Sequence, residues 1–169
     1  MSSRLSRFGR LFSLQGPLPS PRVCRAGLLR VVIAEGDDVA AGLEDRIINE
    51  LRIPAEVVLR LHDGRELLRF LSTKQNKDSY DVLLTEVRLP YLLEADLMRA
   101  LITHCAGKQV IQVTTMSEDD IIQLQIEAQP RRPLFSHVRK PYMVTDLKEM
   151  LSAAANRCGF CDTKENSHA

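Results

Sequence analysis

The chain lacks the features that announce several large functional classes. It has no G-x-G-x-x-G turn, no Walker loop and no nucleophile elbow, so nothing in it supports nucleotide binding or hydrolase chemistry. No apolar run is long enough to span a bilayer. The four cysteines, Cys24, Cys105, Cys158 and Cys161, are too sparse for a secreted disulfide framework and read as reduced thiols of a cytoplasmic protein. The formal net charge is only +1, which gives no argument for nucleic acid or an anionic membrane as partner. Acid is missing from one stretch: residues 1–34 carry Arg4, Arg7, Arg10, Arg22, Arg25 and Arg30 but no Asp or Glu.

What is present suits one globular domain with tails. The length is 169 residues, with 44% hydrophobic and 27% charged residues, enough to bury a core without disulfides or metal. Residues 1–28 read as a flexible basic leader, since Pro17, Pro19 and Pro21 discourage a helix. The Arg- and Ser-rich start also resembles an organelle transit segment, the alternative to a cytoplasmic location. Residues 29–156 form the expected domain, and residues 157–169 a disordered polar tail.

From Leu28 the pattern alternates between strands and helices. Leu29–Ala34, Glu56–Leu61, Tyr80–Leu84, Lys108–Thr114 and Leu134–Val138 are short apolar runs that predict buried strands. Helical spacing follows each: Leu43, Ile47, Ile48 and Leu51, ended by Pro54; Leu67, Leu68 and Leu71; Leu97, Met98 and Leu101, ended by Gly107; a helix capped by Ser117; and Val144–Ala155. Asp37 or Asp38 suits the cap of the first helix, and His62-Asp63-Gly64 a turn. Five strands alternating with five helices predict an α/β fold, a doubly wound five-stranded parallel sheet. Ligands on such sheets bind at the carboxyl ends of the strands. That rule selects Glu35, Gly36 and Asp37, then Glu86, then Thr114 and Thr115, then Lys140. Acids, a hydroxyl and a lysine suit the handling of a phosphoryl group.

These pieces resemble receiver domains of two-component response regulators. Arg30–Asp37 (RVVIAEGD) is similar to the family's first strand and acidic pair, and Asp81–Pro90 (DVLLTEVRLP) to its third strand and acceptor loop. Val110–Thr115 (VIQVTT) is similar to its fourth strand and hydroxyl, and Arg139-Lys140-Pro141-Tyr142 to its Lys-Pro-aromatic signature. The resemblance implies a flavodoxin-like receiver fold and a phosphorelay signalling role, not an enzyme.

Three departures set the expected function. Glu86 stands where the family has its phosphoacceptor Asp, and a carboxylate misplaced by ~1 Å loses ~100-fold in rate. Gly36 stands where the second acid, the more direct Mg²⁺ ligand, is usual; Glu35 and Asp37 remain as an incomplete oxygen set, so no metal or cofactor is expected. Tyr91-Leu92-Leu93-Glu94 replaces the Gly-rich turn after Pro90. Thr114 and Lys140 match the hydroxyl and lysine that contact the phosphoryl group, and Glu86 with Lys140 is placed to form a permanent ion pair. His137 takes the place of the switch aromatic on strand five, beside Phe135.

The expectation is a degenerate, stand-alone pseudo-receiver that binds a histidine kinase or downstream regulator without phosphorylation. The resemblance implies helix four, strand five and helix five as the contact and homodimer face, and no DNA-binding module is expected after helix five. The alternatives are a regulator still phosphorylated in a phosphorelay, or a small flavodoxin-like enzyme. Cys158-Gly159-Phe160-Cys161 has C-x-x-C spacing, with His168 the other ligand type nearby, but its place in a polar tail favours unliganded thiols.

Overall fold

Residues 27–128 and 135–160 are described by the computed structural model of this chain. The expected leader (up to residue 26), Cys24, the loop around Pro130 and Pro133, Leu134, Cys161 and His168 lie outside the described residues.

The strands are β1 (Leu29–Ala34), β2 (Ala55–Leu61), β3 (Val82–Glu86), β4 (Gln109–Thr114) and β5 (Ser136–Arg139). The helices are α1 (Asp38–Asn49), α2 (Gly64–Ser72), α3 (Glu94–His104), α4 (Glu118–Ala128) and α5 (Val144–Arg157), with a short 3-10 segment at Lys74–Asp78. All pairings are parallel, in the order β2-β1-β3-β4-β5, so the doubly wound sheet is as expected.

The period of two along each strand divides the core into two layers. Leu29, Val31 and Ile33 of β1 share one face with Leu84, Ile111 and Val113, under Ala41, Ile47 and Ile48 of α1 and Leu147 and Leu151 of α5. Val32 and Ala34 point the other way, with Leu83 and Val110, under Leu67 of α2, Leu97 and Leu101 of α3 and Ile121 of α4. Each fully buried aliphatic side chain contributes roughly 1.5–3 kcal/mol.

The expectation that all five strands are buried on both faces holds only for the three inner ones. In β2 only Leu61 is fully buried, and in β5 only Val138, because both are edge strands that helices cover incompletely. β3 begins two residues later than expected and runs on to Glu86. Asp81, just ahead of the strand, donates its backbone N–H to the Arg30 carbonyl (2.8 Å), and its carboxylate accepts from the Arg30 backbone N–H (3.0 Å) and guanidinium (3.2 Å), which ties β1 to the start of β3. The C-terminal boundary also moves. α5 continues to Arg157, and Phe160 is buried in the α1/α5 layer, so residues 157–160 belong to the domain rather than the tail.

Asp37 caps α1, its carboxylate accepting from the N–H of Val39 and Ala40 at 2.8 and 2.9 Å. Ser117 caps α4 through the Asp120 N–H (3.2 Å). α3 ends on Cys105, and Gly107 follows with a left-handed φ of 81°. The loop after Pro90 keeps a left-handed residue without glycine: Tyr91 holds φ 61°. That conformation costs an L-residue about 1–2 kcal/mol, and the Arg65 guanidinium lies 3.7 Å from the Tyr91 ring centroid.

Candidate functional site

Parallel register brings the ends of β1, β3 and β4 to one edge, and the turn after β5 returns there. The Lys140 backbone N–H donates to the Thr114 carbonyl (2.7 Å), which anchors that turn beside β4. The Lys140–Pro141 peptide is cis. From this position the Lys140 ammonium reaches two carboxylates. Its Nζ lies 2.5 Å from Glu35 Oε2 and 2.9 Å from Glu86 Oε2.

Both carboxylates are buried, and each of their oxygens accepts at least one hydrogen bond. Glu35 Oε1 accepts from the Asp37 N–H at 3.0 Å. Glu86 Oε1 accepts from the N–H of Val87 at 2.7 Å and of Arg88 at 3.2 Å. Charge-assisted bonds of this kind are the strong ones. Burial works against the Lys140 charge, but its hydrogen bonds to Glu35 and Glu86 outweigh that, and the ammonium is held above its ordinary value.

Gly36 makes the pocket tighter still. A Cβ there would stand 2.9 Å from Pro90 Cδ, 3.2 Å from Pro90 Cγ and 3.4 Å from the His62 carbonyl. A side chain at position 36 would therefore press on the ring of Pro90. Asp37, the other acid of the expected oxygen set, is spent on capping α1. Together these residues do not fit Mg²⁺, which needs near-octahedral oxygen ligation: of the three expected positions, one has no side chain, one turns to a helix terminus and one is bonded to Lys140.

The other expected residues separate. The Thr114 hydroxyl is buried and accepts from the Met116 N–H (3.1 Å). Thr115 is exposed. His137 is half-buried on β5, in register with Gln112 of β4. Thus Glu35, Glu86 and Lys140 form one triad, Thr114 borders it through its backbone, and Asp37, Thr115 and His137 stay outside.

Two groups were not legible as site residues. Gln112 and Gln125 are buried and bonded to each other at 2.6 Å; Gln125 also accepts from the Phe135 N–H at 2.7 Å, tying α4 to the approach to β5. Glu44 is buried on α1 next to the triad. Its signal was its spacing: Ala41, Glu44 and Ile48 fall on one helical stripe, which puts a carboxyl on the apolar face.

No family model matches the chain, and no curated protein matches it in sequence. Solved structures do match. The receiver domain of a Francisella response regulator is similar over 77% of this chain and 98% of its own, with TM-score 0.61 and 20% identity. A response regulator receiver domain from Clostridium thermocellum is similar over 78% and 97%, with TM-score 0.60 and 23% identity. The isolated receiver domain of RcsB from Salmonella enterica serovar Typhimurium, determined in the presence of a phosphomimetic, is similar over 79% and 91%, with TM-score 0.61 and 19% identity. The strand order, the five crossover helices and these likenesses agree: this chain has the fold of response-regulator receiver domains.

Proposed function

We propose that the chain is a pseudo-receiver, a signalling module that binds a protein partner without being phosphorylated. The observation that carries this reading is the placement of Lys140 Nζ between Glu35 and Glu86. The ammonium balances the charge of two buried carboxylates that a bound cation would otherwise have to balance. One arrangement of the pocket is thereby held by internal charge, with no donor or metal required. Pro90 packed over Gly36 supports the same reading, since it closes the position from which a second acid would act.

The partner face is α4, β5 and α5. Gln125 joins α4 to Phe135 at the start of β5, β5 is an edge strand, and Ile126 on α4 is 43% exposed. A kinase, a downstream regulator or a second copy would use this face. No helix among the described residues is long and apolar enough to cross a membrane.

The test is a titration of ¹⁵N-labelled protein with Mg²⁺ and then beryllium fluoride, a phosphoryl mimic. The amides of Asp37, Val87 and Arg88 report directly on the Glu35 and Glu86 carboxylates they donate to. They are expected to stay where they are. A saturable shift of all three would overturn the reading and favour a regulator that is still phosphorylated.

A further inference from the structure

One group beside the triad has no role in holding it. Glu44 sits on α1 with 1% of its surface exposed, and its Oε1 has no hydrogen-bond partner. A buried carboxylate in that state costs several kcal/mol, so such a group takes up a proton instead. Three ionisable groups act on it, Glu35 at the end of β1, Lys140 after β5 and Glu86 at the end of β3, and it acts in turn on Tyr142 ahead of α5. Its neighbours along its own helix stripe, Ala41 and Ile48, are apolar, as are Leu147 and Leu151 of α5 in the same core layer. Among the described residues the neighbourhood thus sets three carboxyl groups and a phenol against the Lys140 ammonium.

We propose that Glu44 is kept as a neutral acid under the Lys140 triad, and that its ionisation loosens the triad and makes the pocket respond to pH. With Glu44 protonated, Lys140 faces two carboxylates and satisfies both. When the Glu44 O–H bond breaks and the proton leaves to solvent, a third carboxylate competes for the same ammonium. Burial, reinforced first by the charge of Glu35, pushes the Glu44 carboxyl up to about 8, while Lys140 pulls it down. That value places the change at the edge of the physiological range. Tyr142 reports the same crowding: burial first, then Glu44, pushes its hydroxyl up to about 12. This inference rests on the triad being the resting arrangement of the pocket. The two are separable, because titration of Glu44 and phosphorylation of Glu86 are different measurements.

The direction of the pH dependence follows from linkage. A carboxyl raised in the folded state stabilises the fold fully below its ordinary value of 4.5, and that contribution is lost as pH climbs through about 8. Between these limits the folded-to-unfolded ratio falls roughly tenfold per pH unit on account of Glu44 alone.

The experiment is a carboxyl-carbon NMR titration of the full chain labelled at glutamate, from about pH 5 to about pH 10, with backbone amides followed in parallel. One glutamate is expected to titrate near pH 8, and the Asp37 and Val87 amides to move with the same midpoint. Glu44→Gln should abolish both changes. Should Gln fail to fold, Glu44→Met, apolar and of similar length, serves the same comparison. Titration of every glutamate below about pH 5.5 would overturn the proposal, as would amides that ignore the transition.

Discussion

Lys140→Met is expected to destabilise the domain by about 3 kcal/mol at neutral pH, because it leaves two buried carboxylates without their cation. The loss is mainly the penalty of the orphaned charges rather than the worth of the ion pairs. It is therefore expected to shrink on acidification. Acid that neutralises buried carboxylates removes the penalty of leaving them without a cation. The wild type behaves in the opposite sense at the other end. Its Lys140 is held above the ordinary ammonium value, so its contribution is complete below about pH 10 and fades above. Urea midpoints at three pH values check this. A Lys140→Met variant as stable as the wild type at neutral pH would mean that the triad is not closed in solution. Removing one carboxylate as well, in Glu35→Gln/Lys140→Met, should recover part of the loss, since neighbours in one network do not behave additively.

Gly36→Asp is expected to destabilise by about 2–3 kcal/mol and to gain no magnesium site. The new Cβ would approach Pro90 Cδ to 2.9 Å, closer than a packed carbon tolerates, and overpacking of this kind costs roughly 1–3 kcal/mol. The added carboxylate would also stand next to Glu35, where the Lys140 ammonium is already shared. Pro90→Ala made together with Gly36→Asp removes the ring atoms responsible and should return most of the steric part. The denaturation midpoints of the single and double variants check it. Equal stability of Gly36→Asp and wild type would show that Pro90 does not fill the position of the missing acid.

The fold was readable because strand and helix periods in the sequence agree with one architecture throughout. The run Leu29–Ala34 matches β1 residue for residue, and alternation along it already separates Val31 and Ile33 from Val32 and Ala34. The boundaries failed where a side chain took a job that spacing does not reveal. Asp81 is polar at the head of an apolar run, and its carboxylate is bonded to Arg30, 51 residues earlier, a partner that spacing does not reveal. Phe160 looked like part of a polar tail because its burial depends on where α5 ends in space.

The site divides along the same line. Glu35, Glu86 and Lys140 could be named from the sequence because strand order carries them to one edge. The Glu86–Lys140 pair could be expected as well, but the second bond from Lys140 to Glu35 could not, since it depends on where the turn after β5 returns. Asp37 was a cap and a candidate ligand at once, and the helix N-terminus won, as its two N–H bonds show. Glu44 was missed because a single acid on an amphipathic helix is ordinarily solvated. Whether it is buried depends on how closely α1 is laid over the sheet.

Phosphorylation itself is the most direct test of a pocket closed by its own lysine. The protein is incubated with acetyl phosphate and Mg²⁺ and its intact mass is measured over time. The mass is expected to stay unchanged throughout. A stable phosphoryl adduct mapped to Glu86 would contradict it.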